Sequence, residues 1–257
     1  MGLTDIAIKF AAPAPKPGGF QRYLFLGPHP DDIEIGAGAS AAKLAAEGKD
    51  ICFLICIDGR YGDGNADSSL SPDELAELRR EEAISSAAEL GISDVRFLNL
   101  CDGGFYDYNE LLSGIAHVVG SFKPDIIFCP DPCVSSESHA DHINVGCAAR
   151  QIAYFAPYRS IMNRYGAESA PVKAIAYYMT AKANRFINTS GYLEKQLRSI
   201  FECHKSQFPA GGADAKSITL YLKLRAYDFG IRSFCKTAEG FRVLSSTQMH
   251  CLPEAGN

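Results

Sequence analysis

The sequence predicts a single α/β domain built around a mainly parallel β-sheet flanked by helices. Short apolar segments of strand length alternate with longer segments of helical character along most of the chain. Residues 51–57 are apolar throughout, which is typical of a parallel strand covered on both faces. The 257 residues contain neither an internal repeat nor a linker, and they suffice for one sizeable core. Strands separated by helices predict βαβ units with right-handed crossovers.

The individual elements follow from the same patterns. The predicted strands are residues 23–26, 51–57, 95–98, 126–129 and 174–179. The predicted helices are residues 35–47, 72–90, 111–122 and 191–204. The second of these helices has the clearest signals, because Ser71 can cap it, Pro72 suits its first turn and Gly91 can end it. Residues 11–19 are rich in Pro and Gly, so the predicted organisation is a lead-in over residues 1–20 and a domain over residues 21–257.

Composition excludes several classes of partner. The net charge is −5 without a block of basic residues, which argues against nucleic-acid binding. The sequence contains no apolar run near the ~20 residues of a membrane helix. The first twenty residues do not resemble a signal peptide, so a cytoplasmic protein is expected. Nine cysteines without a C-x-x-C pair indicate reduced thiols.

Two polar segments follow predicted strands and carry the candidate chemistry. Residues 29–32 read His-Pro-Asp-Asp after the first strand, and residues 139–142 read His-Ala-Asp-His after the strand 126–129. Ligands of open α/β sheets bind beyond the carboxyl ends of the strands, so these segments are expected to converge. A catalytic zinc needs about three N/O ligands. A remaining carboxylate can act as general base, and a remaining imidazole can donate to an oxyanion.

Simpler interpretations exist for each segment alone. Asp31 or Asp32 could serve only as the N-cap of the following helix. The glycines at 36 and 38 suggest a nucleotide site, but a dinucleotide-binding fingerprint places them directly after the strand. Three further residues are weaker site candidates with structural alternatives: Asp58, Asp102 and His204.

The two segments together resemble a known family, the LmbE-like or PIG-L zinc-dependent N-deacetylases. Other segments fit the same resemblance: Arg79 with the helix that ends at Gly91, Lys195 with residues 204–207 (His-Lys-Ser-Gln), and residues 238–241 (Ala-Glu-Gly-Phe). The resemblance covers about residues 22–243 and implies a Rossmann-like fold. It also implies removal of an N-acetyl group from an N-acetylglucosamine-type sugar or glycoconjugate.

Carried over position by position, the resemblance assigns a role to seven residues. It implies His29, Asp32 and His142 as ligands of one Zn²⁺ per chain. It implies Asp31 as general base and His139 as electrophilic partner, oriented by Asp141. Arg79 matches a position that faces the substrate. Ala140 stands where many relatives have proline, which removes no functional group.

Several alternatives stay open. Two imidazoles and a carboxylate also suit Fe²⁺. A zinc amidase acting on a non-sugar N-acyl substrate is the second candidate function, and a homo-oligomer is compatible with the sequence.

Overall fold

The computed structural model describes residues 10–209 and 212–252. Its strands are β1 (Arg22–Gly27), β2 (Asp50–Ile57), β3 (Asp94–Leu100), β4 (Ile126–Pro130), β5 (Ala174–Tyr178), β6 (Arg185–Asn188) and β7 (Ala238–Ser245). Within the described residues these seven strands form one sheet in the order β3-β2-β1-β4-β5-β7-β6. Strands β1 to β5 pair in parallel, and β7 is antiparallel to both β5 and β6. The predicted α/β class with a mainly parallel sheet is confirmed.

The helices cover both faces of the sheet. They are α1 (Asp32–Ala46), α2 (Pro72–Leu90), α3 (Tyr108–Phe122), α4 (Ala140–Phe155), α5 (Arg159–Met162), α6 (Leu193–Arg198) and α7 (Ala213–Arg232). A 3₁₀ turn (Asn163–Tyr165) follows α5, and a π-helical turn (Ser199–Cys203) continues α6. Successive residues of a strand point to opposite faces. Accordingly, Tyr23 and Phe25 pack with α1 and α2, whereas Leu24 and Leu26 pack with α3 and α4.

Helix α2 begins and ends where the sequence predicts. Ser71 Oγ accepts a hydrogen bond from Glu74 N at 3.3 Å, and the Glu74 carboxylate accepts one from Ser71 N at 2.8 Å. This capping box satisfies backbone donors that a helix start leaves free. Gly91 ends the helix in the left-handed region at φ 89°. Helix α1, by contrast, begins at Asp32, three residues before the predicted start.

The glycines of α1 allow the helix to lie close to its neighbours. A Cβ on Gly36 would overlap the ring of Tyr178, and a Cβ on Gly38 would lie 3.0 Å from Gln196 Cγ. Tyr178 is fully buried and donates a 2.7 Å hydrogen bond to Leu26 O. These glycines are therefore explained by helix packing, without a bound nucleotide.

The described part of the lead-in packs beside β6. Ala14 is buried, and its carbonyl accepts a 2.8 Å hydrogen bond from Arg185 Nε. All nine cysteines are free, as expected. Among the described helices, none is long and apolar enough to cross a membrane.

Candidate active site

The two polar segments meet at one edge of the sheet. Strands β1 and β4 are parallel neighbours, so their carboxyl ends lie side by side. The turn after β1 carries His29 and leads into α1 at Asp32. The loop after β4 leads to His139, which is the N-cap residue of α4.

Three side chains present donor atoms to one point. Asp32 Oδ2 lies 3.3 Å from His29 Nδ1 and 3.3 Å from His142 Nε2, and all three atoms lie within 4.8 Å of one another. Ligands about 2.0–2.1 Å from a tetrahedral ion are about 3.4 Å apart. The chemistry of the three donors and the two distances of 3.3 Å to Asp32 Oδ2 therefore fit a divalent ion such as Zn²⁺.

Carboxylates lie close to the imidazole nitrogens of His29 and His142 that do not face Asp32. His29 Nε2 lies 3.1 Å from Asp141 Oδ2 and 3.2 Å from Asp102 Oδ1. His142 Nδ1 lies 3.2 Å from Glu137 Oε2, a charge contact without hydrogen-bond geometry. Metal-binding histidines commonly direct their second nitrogen at a carboxylate, which fixes the ring and its tautomer. Glu137 was not indicated by any sequence pattern, although this general requirement calls for an acid beside each ligand imidazole.

The electrostatics of the donor set follow from this arrangement. Burial alone would raise the pKa of Asp32, but His142 and His29 outweigh it and hold the pKa well below its usual range. Burial likewise disfavours the charged form of His29, yet contacts with Asp102, Asp141 and Asp32 raise its pKa well above the ordinary value. The carboxylates thus form an environment that stabilises positive charge.

Asp31 is held in a strained conformation next to this donor set. Its φ of 121° lies in the region that side chains other than glycine rarely adopt. Although Asp31 precedes α1, its carboxylate makes no cap hydrogen bond to the described helix and lies 3.4 Å from Arg79 Nη2. Burial raises its pKa to about 6, while Arg79 acts in the opposite direction. The Asp31 carboxylate is thus buried and lies outside the donor set of His29, Asp32 and His142.

Arg79 links the loop after β1 to the loop after β2 by hydrogen bonds. Its guanidinium donates to Gly59 O at 2.9 Å and to Pro30 O at 3.0 Å. The residue is only 4% exposed, so most of its surface already contacts protein. These contacts connect the backbone at Pro30, which precedes Asp31, with the loop at Gly59.

His139 is the most exposed member of the cluster. Its Nδ1 accepts a 3.3 Å hydrogen bond from Asp141 N, and the Asp141 carboxylate lies 3.8 Å from the same nitrogen. Because Nδ1 is an acceptor, the proton of the neutral ring is on Nε2. Burial, together with His29 and His142, lowers the pKa of His139 despite the neighbouring Asp141. The His139 side chain is 47% exposed, so its ring is accessible from solvent.

The weaker candidates have different surroundings. Asp102 belongs to the cluster through His29, whereas Asp58 is paired with Arg60 at 2.7 Å. His204 is fully buried with its Nε2 3.5 Å from Glu34 Oε1. The late His-Lys-Ser-Gln segment thus contacts α1 through His204.

Known proteins resemble this chain in sequence and in fold. The sequence matches the family described as PIG-L: GlcNAc-PI de-N-acetylase over residues 24–153. The chain belongs to the PIG-L family. The matched range contains the positions of all seven predicted site residues. The predicted family is confirmed, and it places the chain among hydrolases of N-acetyl amide bonds.

Individual PIG-L relatives cover most of the chain. The diacetylchitobiose deacetylase of Thermococcus kodakarensis is 32% identical over 239 residues, which are 91% of this chain and 87% of the relative. The structure of N,N'-diacetylchitobiose deacetylase from Pyrococcus horikoshii superposes with a TM-score of 0.82 at 30% identity, covering 91% and 88% of the two chains. A 1D-myo-inositol 2-acetamido-2-deoxy-alpha-D-glucopyranoside deacetylase of Kineococcus radiotolerans is 26% identical, covering 71% and 56%.

Proposed function

We propose that this PIG-L protein is a zinc-dependent hydrolase that removes the acetyl group from an N-acetylglucosamine-type sugar. The observation that carries the proposal is the meeting of a three-atom donor set with a separate buried carboxylate. His29, Asp32 and His142 would hold the ion, and Asp31 remains beside them. The sugar class is supported by the relatives, two of which are deacetylases of diacetylchitobiose.

The ion supplies Lewis-acid polarisation of the amide carbonyl and a lowered pKa of water when it is bound. The chain supplies the proton transfers. Asp31 accepts a proton as the water oxygen bonds to the carbonyl carbon. When the C–N bond breaks, Asp31 returns the proton to the departing nitrogen, which yields acetate and a free amine.

His139 is proposed as the donor to the developing oxyanion. Its Nε2 carries the proton, because Nδ1 already accepts from the backbone of Asp141. The side chain is exposed enough to meet a substrate. Asp141 then has two roles. Its backbone N–H donates a hydrogen bond to His139 Nδ1 and orients that ring, and its carboxylate lies 3.1 Å from His29 Nε2. A neutral imidazole is sufficient for such donation.

Arg79 is proposed to position Asp31 and tune its pKa, in addition to any contact with the substrate that the resemblance implies. Asp31 must be ionised to act as base, so activity is present above its pKa and is lost as the pH falls through it. A bound cation lowers the pKa of Asp31, so the acidic limb of the metal-loaded protein is expected at a lower pH than the titration of Asp31 in the metal-free protein. Arg79→Gln removes a neighbouring positive charge and is expected to move the limb to higher pH by about one pH unit or more.

The pH profile of kcat/KM tests this expectation. Arg80→Gln is the matched control, because Arg80 is the next residue but hydrogen-bonds to Asn99 away from Asp31. Arg79→Lys retains a charge and is expected to restore part of the wild-type profile. An acidic limb that stays in place in Arg79→Gln would show that Arg79 does not set the pKa of the base.

Acetate release from a substrate panel tests the function itself. The panel contains N,N'-diacetylchitobiose, N-acetylglucosamine, an N-acetylglucosaminyl inositol and N-acetyl-lysine. We expect release from at least one sugar by the zinc-loaded protein, with diacetylchitobiose the first choice, and loss of that release after treatment with a chelator. Release from N-acetyl-lysine alone would instead support the non-sugar amidase. The same panel with Fe²⁺ identifies the preferred metal.

A further inference from the structure

Two exposed aromatic side chains lie on loops that border the candidate active site. Tyr61 follows β2 and is 51% exposed, and Phe105 follows β3 and is 75% exposed. Of the exposed large apolar side chains in the described part of the chain, these two alone lie on loops that leave the carboxyl ends of parallel strands. Ligands of open α/β sheets bind at that edge. The proposed chemistry uses neither side chain.

Tyr61 lies on a loop whose backbone is held in place by hydrogen bonds. Tyr61 N donates to Asp102 Oδ2 at 3.2 Å, and the other oxygen of that carboxylate lies 3.2 Å from His29 Nε2. The next residue is held as well, because Gly62 O accepts a 2.8 Å hydrogen bond from Gln207 Nε2. The backbone thus fixes the position of Tyr61 relative to His29, one of the proposed metal ligands.

Phe105 is connected to the same cluster through Gly103. Gly103 N donates a 2.9 Å hydrogen bond to Asp141 Oδ2, which lies 3.1 Å from His29 Nε2. A Cβ on Gly103 would lie 3.3 Å from Phe105 Cε2, so the Phe105 ring lies against this glycine. The ring centroids of Tyr61 and Phe105 are 6.4 Å apart, and their planes form an angle of 87°. We call this L-shaped pair of rings the aromatic corner.

The chemistry of the aromatic corner suits a sugar-like ring. The faces of pyranose and inositol rings carry C–H groups, whose hydrogens are weakly positive. The face of an aromatic ring is the negative part of its quadrupole, and contact between the two also removes apolar surface from water. The corner exposes on the order of 250 Å², well below the ~800 Å² that each partner gives to a stable protein interface. A small cyclic ligand therefore fits the corner better than a protein does.

We propose that the aromatic corner binds the second ring of the substrate, a polyhydroxylated ring linked to the N-acetylated sugar. This inference rests on the proposed function, because the acetyl group lies at the donor set while the linked ring lies against Tyr61 and Phe105. Contacts with a part of the substrate that does not react still contribute to kcat/KM. The chain is then selective for N-acetylglucosaminyl conjugates over free N-acetylglucosamine, and these two residues determine the selectivity.

The ratio of kcat/KM for N,N'-diacetylchitobiose to that for N-acetylglucosamine tests the proposal. Tyr61→Ala and Phe105→Ala are each expected to lower this ratio by about three- to tenfold in the zinc-loaded protein. The value for N-acetylglucosamine itself is expected to change little, because a single ring at the donor set does not reach the corner. The same ratio measured with an N-acetylglucosaminyl inositol shows whether a hexosamine or an inositol is the preferred second ring. A ratio that stays unchanged for both conjugates in both variants overturns the proposal.

Two control variants make the result specific. Tyr61→Phe keeps the ring and is expected to keep the wild-type ratio. A loss as large as that of Tyr61→Ala would assign the effect to the hydroxyl group and overturn stacking. Tyr158→Ala is the matched control, since Tyr158 is 50% exposed and lies beyond the C-terminal end of α4, whose opposite end carries His139. It is expected to leave the ratio unchanged.

Equilibrium binding separates this inference from the proposed function. Isothermal titration calorimetry of zinc-loaded Asp31→Asn with N,N'-diacetylchitobiose measures a Kd without turnover. Adding Tyr61→Ala is expected to raise that Kd by about three- to tenfold. An unchanged Kd overturns the inference and leaves the proposed function standing, and so does a parent variant that does not bind the disaccharide while the wild-type chain releases acetate. A raised Kd, with no acetate released from any sugar by the wild-type chain, overturns the proposed function and supports the corner as a binding site.

Discussion

Replacing Asp31 with asparagine is expected to lower kcat for deacetylation by about 10²–10⁴-fold, the usual contribution of a general base. Asparagine has nearly the same shape but cannot accept the proton of the attacking water. It also tolerates positive φ better than most residues, so the backbone at φ 121° is expected to persist. The bound metal should remain at one ion per chain, because Asp31 lies outside the donor set.

Steady-state kinetics together with metal analysis measure this effect. Asp58→Asn is the matched control, since it is the same substitution after the neighbouring strand β2 in a residue paired with Arg60. We expect Asp58→Asn to retain most of the activity. Near-normal turnover of metal-loaded Asp31→Asn would reject Asp31 as the base while leaving the metal site intact.

Replacing Asp32 with alanine is expected to abolish metal binding and, with it, all measurable activity. Asp32 Oδ2 is the atom that both imidazoles approach at 3.3 Å, and its pKa is held well below the usual range. Without it, two imidazoles remain, which is fewer than the three protein ligands of a catalytic zinc site. The metal content after gel filtration should fall from about one ion per chain to nearly none.

The comparison between the two neighbouring variants is the decisive part of this test. Asp31→Asn should lose about 10²–10⁴-fold in kcat while it keeps its metal, whereas Asp32→Ala should lose both the metal and the activity. Thermal unfolding with a chelator present serves as the folding control, because Asp32 also accepts a 2.9 Å hydrogen bond from His29 N. A full complement of metal in folded Asp32→Ala would place the ion elsewhere.

Local signals made the fold predictable in part. Helix α2 was predicted to the residue because its cap, Pro72 and Gly91 are local determinants. Helix α4 was not predicted, since it is rich in small residues such as Ala148 and Ala149 that give a weak apolar period. Helix α7 was also missed, because a helix apolar on two sides lacks a single periodic face.

The candidate site, like the fold, could be predicted only in part. The sequence predicts the segments 29–32 and 139–142 at one sheet edge because the carboxyl ends of all parallel strands lie at the same edge. The acids beside the imidazoles were harder to predict: Asp102 was only a weaker candidate, and Glu137 was not indicated at all. Both lie on loops, and irregular backbone leaves no periodic pattern in a sequence.

The two edges of the sheet affect how the protein behaves when it is concentrated. An uncovered edge strand offers unpaired backbone groups that recruit strands from other molecules and start aggregation. At one edge, β3 carries the charged pair Asp94 and Arg96, and positive φ at Asn99 interrupts its regularity. At the other, β6 has four residues and lies beside a proline-rich lead-in held by Ala14. Proline lacks an N–H and cannot extend a ladder. Both edges thus oppose the addition of strands from other molecules. Any association between molecules is therefore expected to use side chains and not the backbone of an edge strand.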